Sequence, residues 1–150
     1  MLCVVALLLL CIMSVYAPIR FDKQRAAREH DVIERLVKIR QAEEHYRQRY
    51  GIYTGNFREL INGGLITQEE TLIPHSGGQP FELSVTTVIG KSGQQLPLME
   101  CGAQYQQYLD GLNENSITTL IEDANISGSY PGLKIGDLTT PNNNAGNWEN

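Results

Sequence analysis

The chain opens on MLCVVALLLLCIMSVYA, 17 residues without one charged side chain. A run of that length and purity is at the short limit for a membrane span. The character then changes at once. Residues 20–50 hold 9 of the 12 Lys and Arg residues and 6 of the 17 acids, so this stretch is +3. Residues 51–150 hold 3 bases and 11 acids, so they are −8. A basic rod joined to an acidic globule argues against nucleic-acid binding, which needs the positive charge on a groove-facing surface. About 130 residues remain beyond the apolar run, enough for one modest core.

Three readings compete for the first 17 residues. A cleaved signal peptide wants basic residues before the apolar run, and Met1-Leu2-Cys3 supplies none. Val15-Tyr16-Ala17 would serve as a small-residue end, but Pro18 then follows the cut, where cleavage is poorly tolerated. Lipidation at Cys11 wants Gly or Ala before the cysteine, where Leu10 stands. A retained signal-anchor helix fits best. Arg20, Lys23, Arg25 and Arg28 follow the span directly, and charge alone would hold that side in the cytoplasm.

From Arg20 to Tyr50 the spacing predicts one helix. Val32, Leu36, Ile39, Glu43, Tyr46 and Tyr50 alternate at four and three, with Ile33, Val37 and Ala42 widening the stripe. The opposite face is charged, and Glu34–Lys38 and Glu43–Arg47 are favourable i,i+4 pairs. Gly51 is placed to cap the helix. A coiled coil is the competing reading. A stripe of about three heptads ending in tyrosines fits packing on a sheet better.

Asn56 to Ile61 reads as a short amphipathic turn closed by Gly63-Gly64, and Pro74 to Pro80 as a loop. Phe81, Leu83, Val85, Thr87 and Ile89 alternate with polar residues, which predicts a half-buried strand. Gly90-Lys91-Ser92-Gly93 turns the chain, and Leu96 to Ala103 can return antiparallel. Short helices are expected around 103–112 and 116–124, with a last strand at Leu133–Gly136. From Thr139 the chain is a polar, Asn-rich tail, and there are no internal repeats. The fold class is α+β: a long N-terminal helix, membrane-embedded in its first half, packed on a small antiparallel sheet. Residues 1–17 are the anchor, 18–50 the amphipathic helix and 51–150 the globular domain.

Site chemistry is sparse. His30 and His45 are too far apart to share a ligand, and His75 falls in a loop. No His-x-x-x-His, Glu-x-x-His or Gly-x-Ser-x-Gly occurs, and Ser76-Gly77-Gly78 lacks the Lys of a phosphate loop. Cys3 and Cys11 lie in the leader, which leaves Cys101 as a buried apolar residue with no basic neighbour to activate it. Tyr105 and Tyr108 read as packing groups, with sugar stacking the lesser reading. An enzyme is not expected. Asp137 with Asn142, Asn143 and Asn144 is the one polar group with an inorganic rationale, because calcium accepts carboxylate, amide and carbonyl oxygens. An ordinary Asn-rich turn is the competing reading.

An apolar N-terminal span running through Pro18 into a long amphipathic helix resembles the type IV pilin and pseudopilin family. Ala42 with Tyr46, then Tyr50-Gly51-Ile52-Tyr53 and Phe57-Arg58-Glu59-Leu60, resemble its helix end and the loop that follows. Asn144-Ala145-Gly146-Asn147-Trp148-Glu149 is similar to the Gly-Asn-Trp ending of the type II secretion major pseudopilin. The likeness covers residues 1–66 and 133–149; the middle matches only in strand content. It departs where the family is cut after a Gly, leaving a Phe start and a nearby Glu. Aligned on Pro18, that Glu would fall at about Met1, so the cut site is either missing or upstream of Met1.

The resemblance implies a non-enzymatic pseudopilin-like subunit of a secretion or pilus-type filament in a bacterial inner membrane, single-pass, with its domain in the periplasm. Its expected partners are the lipid bilayer and copies of itself or other pilin-like subunits. On location the resemblance overrules the basic flank. It further implies a calcium-binding C-terminal loop at Asp137 and the Asn run, anchored by a buried Trp148 whose indole N–H finds a carbonyl. The alternative is a membrane-anchored periplasmic binding module that recognises a ligand through its middle loops.

Overall fold

The computed structural model describes residues 1–149. In chain order the elements are α1 (Leu2–Tyr50), α2 (Phe57–Asn62), β1 (Glu82–Ile89), β2 (Gln95–Gln104), α3 (Tyr105–Tyr108), α4 (Glu114–Ser127) and β3 (Gly132–Gly136). A single 3-10 turn, Glu69–Thr71, precedes the sheet. The strands form one antiparallel sheet in the order β1-β2-β3. This is α+β with a long N-terminal helix on a small sheet, the pilin-like architecture that the resemblance implies.

The anchor and the amphipathic rod are one helix of 49 residues, uninterrupted at Pro18. Pro18 lacks an N–H, so it removes one intrahelical bond, to the Ser14 carbonyl, without ending the helix. Gly51 ends it, adopting φ 82° and returning its N–H to the Arg47 carbonyl at 2.7 Å. That left-handed conformation is what glycine permits at a helix C-terminus. Met1–Arg20 are exposed throughout, and one helix here is long and apolar enough to span a membrane.

Phe21 is the first residue the domain covers, at 7% exposure. Above it Val32, Leu36, Ile39 and Ala42 are buried, and α1 packs against β2 and β3. Leu60 of α2, Met99, Cys101 and Ala103 of β2, Tyr108 of α3, Ile117 of α4 and Ile135 of β3 complete the same core. The predicted stripe is therefore the seam, with a correction at its end. Tyr46 is half-buried against the core, but Tyr50 is 57% exposed, with its ring centroid 4.4 Å from that of Tyr46. The spacing that carries Tyr50 onto the stripe extends past the point where the domain stops.

The strand alternation holds near the helix and fails at the hairpin tip. Phe81 is buried, Leu83 and Ser84 are half-buried, and Ile89 is 78% exposed. The hairpin projects beyond α1, so its last apolar residues have nothing to cover them. The helix expected over 103–112 is only Tyr105–Tyr108, whereas α4 runs longer than expected because Asn113 caps it through Ser116 N–H at 3.0 Å. The polar tail is not loose. It returns along β3, where Gly136 N–H donates to Ala145 O at 3.1 Å and Asn147 N–H to Lys134 O at 3.0 Å.

Candidate functional site

Two surfaces can act: the bare half of α1, and the junction where the rest of α1 is laced to the domain. The lacing is polar and runs up the helix. Tyr108 donates its hydroxyl to Glu29 at 2.9 Å, while Arg28 donates to the Tyr108 and Asp110 carbonyls at 3.0 and 2.7 Å. His75 sits 2.8 Å from Asp31, and Arg35 donates to the Leu72 carbonyl at 2.6 Å. Lys38 pairs with Glu70 at 3.0 Å. The charged face is thus not a free face: Arg35 belongs to the contact with residues 69–72.

Glu43 is the least expected member. It stands inside the apolar stripe at 0% exposure and accepts the Thr54 and Gly55 N–H groups at 2.9 and 3.0 Å. Burial pushes its carboxyl above the ordinary range, and the two N–H donors offset only part of that. Gly55 makes the approach possible, having φ +64° and the Val85 side chain 2.7 Å from where a Cβ would be. A carboxylate in an apolar stripe was the available signal for this site.

The C-terminal loop is a clasp. Arg40 donates to the Asn144 carbonyl at 3.2 Å and to the Glu149 carboxylate at 3.0 and 3.1 Å. Glu149 in turn accepts the Gly146 N–H at 3.0 Å, and that donor, with Arg40, holds its carboxyl below the usual range. Asn144 donates its amide to the Tyr53 hydroxyl at 2.9 Å. Asn147 imitates a strand residue with its side chain, accepting Lys134 N–H at 3.2 Å and donating to Gly132 O at 2.9 Å. Trp148 is half-buried over Gly146, where a Cβ would meet the ring at 2.5 Å. Its ring packs against the core, and its indole N–H has no carbonyl partner among the described residues.

The four residues considered as calcium ligands each have their own surroundings. Asp137 turns one carboxylate oxygen onto Thr139 N–H and hydroxyl, at 2.7 and 2.5 Å, and onto Thr140 N–H at 3.2 Å. Asn142 is exposed and gives its carbonyl to Ala145 N–H at 3.2 Å, while Asn143 is exposed at φ 57°. Asn144 is buried against Tyr53. Among the described residues no three acidic, His or Cys side chains converge. The cation that meets the loop's carbonyl and carboxylate is a guanidinium.

The clasp gives a measurable expectation. Trp148 is the only tryptophan, so its emission reports on this loop. Arg40→Gln should red-shift that emission. Acid should act as Arg40→Gln does. Glu149 titrates below its ordinary value in the fold, so the stability it supplies is present above that value and lost as pH falls through the lowered one. Unchanged emission in Arg40→Gln would contradict this.

Nucleophilic chemistry finds little support in the domain. Burial pushes the Cys101 thiol well above its ordinary range, and the Glu43, Glu82 and Glu100 carboxylates push it the same way. His30 and His45 are exposed, and His75 is engaged with Asp31. No protein-family model, curated protein or solved structure matches the chain.

Proposed function

We propose that the chain is a non-enzymatic, pseudopilin-like structural subunit of a secretion or pilus-type filament. The first half of α1 anchors it in a bacterial inner membrane with the domain in the periplasm, and packs with copies of itself or other pilin-like subunits. One observation carries this reading: a single helix is bare through Arg20 and apolar through Ile19, and is laced to the domain from Phe21 onward. A helix built this way cannot leave the domain without stripping several polar groups, so whatever the anchor packs with is rigidly coupled to the globule.

The binding-module reading has one feature in its favour, a groove of about 470 Å³ between α1 and residues 67–75. Its charged lining is largely self-paired, Asp31 with His75 and Lys38 with Glu70, which leaves few groups for a ligand. The subunit reading is therefore preferred. A reporter fused after Asn150 should be active when it requires the periplasm. Activity of a reporter that works only in the cytoplasm would overturn the filament assignment, because it would put the domain on the wrong side.

A further inference from the structure

We propose that Arg20 and Lys23 form a binding collar for anionic phospholipid headgroups at the base of the domain. The inference is independent of filament assembly and of which leaflet the domain faces.

The first support is an accounting of the bases on α1. Arg25 lies 2.7 Å from Glu29, Arg28 holds the 108 and 110 carbonyls, and Arg35 holds the Leu72 carbonyl. Lys38 meets Glu70, Arg40 meets Glu149, Arg47 donates to the Tyr53 hydroxyl and Arg49 lies over the Tyr50 ring. Only Arg20 and Lys23 on this helix have no hydrogen-bond, ion-pair or ring partner for their side chains among the described residues, and both are exposed. In a chain whose residues 51–150 are −8, these two bases stand together at the foot of the domain and pair with none of its carboxylates, which leaves them open to anionic groups outside the chain.

The second support is depth. The uncharged apolar run ends at Ile19, and Arg20 is the first charged side chain after it, which is where a hydrocarbon core ends. Arg20 therefore stands at the boundary, and Lys23 about 4.5 Å beyond it, where the phosphates are. Exposed Tyr16, one turn earlier, is the residue type that settles at such a boundary. The domain begins at Phe21, so no linker lifts these bases away from the surface.

The third is direction. Positions three apart are neighbours on a helix face, so Arg20 and Lys23 stand side by side. At about 100° per residue, Phe21 points to a different flank, into the domain, and Asp22 to the side opposite Arg20. A guanidinium and an ammonium together present a fork and a point charge, suited to phosphate oxygens.

The test uses the full chain in vesicles of phosphatidylcholine with a minority of phosphatidylglycerol. Lipids retained on the protein after mild detergent release are counted by native mass spectrometry. Phosphatidylglycerol should exceed its bilayer share by up to about thirtyfold, as two interfacial charges at about 1 kcal/mol each would give, and the excess should fall with added salt. Arg20→Gln with Lys23→Gln should return it to the bilayer share while Trp148 emission stays unchanged. Arg58→Gln with Lys91→Gln removes two other bases that have no side-chain partner, and should keep the enrichment. No enrichment in the wild type, or equal loss in both double variants, would overturn the proposal.

Discussion

Leu36→Asp and Ile39→Asp should each destabilise the domain by at least about 3 kcal/mol. Both side chains are fully buried in the seam between α1 and the sheet. Each substitution removes a branched apolar group and leaves a carboxylate facing apolar carbon, with no base in the seam to pair it. A domain of this size has only about 5–15 kcal/mol in hand, so either variant should approach unfolding while the anchor stays inserted. Gln48→Asp, exposed near the distal end of the helix, is the control and should stay within about 0.5 kcal/mol. Arg35 would be a poor control, because its guanidinium holds residues 69–72 to the helix. Denaturant unfolding of the full chain in detergent, followed by Trp148 emission, gives the comparison. Equal stability for all three variants would mean that the helix does not pack on the domain.

Glu43→Ala should be the next largest loss, about 2–4 kcal/mol. It strips the acceptor from two N–H groups at once, Thr54 and Gly55, in a place water does not reach. Glu43→Gln distinguishes the charge from the bonds. Its amide oxygen can still accept one of the two N–H groups, and it carries no charge to bury. The sign follows from linkage: a carboxyl raised in the fold stabilises when protonated, and that contribution is lost as pH rises through the raised value. The Gln variant should therefore gain on the wild type as pH rises from the ordinary carboxylate range toward neutrality. A difference between the two that does not change with pH would show that Glu43 is not perturbed in the fold.

The helix seam and the three strands were legible because both rest on local periodicity. Val32, Leu36, Ile39 and Ala42 repeat at helical spacing, and Phe81 to Leu83 begin an alternation that β1 keeps while it lies over the core. Where the contact is set by distant geometry, the pattern misleads. Tyr50 and Ile89 continue their repeats past the edge of the domain, so they remain exposed. The C-terminal return was not legible for a related reason. Asn147 fills backbone positions beside Gly132 and Lys134 with its amide, and nothing in an Asn-rich run distinguishes that from a solvated turn. Arg40 bonding to Glu149 bridges two ends of the chain and has no local signature. Glu43 was visible as an acid in an apolar stripe, but the N–H groups that make sense of it come from the next loop.

Cysteine cross-linking in intact membranes tests the central claim, that the bare half of α1 packs with another copy. Cys3 and Cys11 are free and exposed on that half, while Cys101 is buried and silent. In a Cys3→Ser, Cys11→Ser background, single cysteines restored at position 11 or introduced as Leu8→Cys, Leu9→Cys and Leu10→Cys cover every face of one helical turn. Mild oxidation should trap disulfide-linked dimers at one face or two adjacent faces and leave the others monomeric, and the wild-type chain with both cysteines should extend to higher multimers. Monomer at all four positions under the same oxidation would contradict the account.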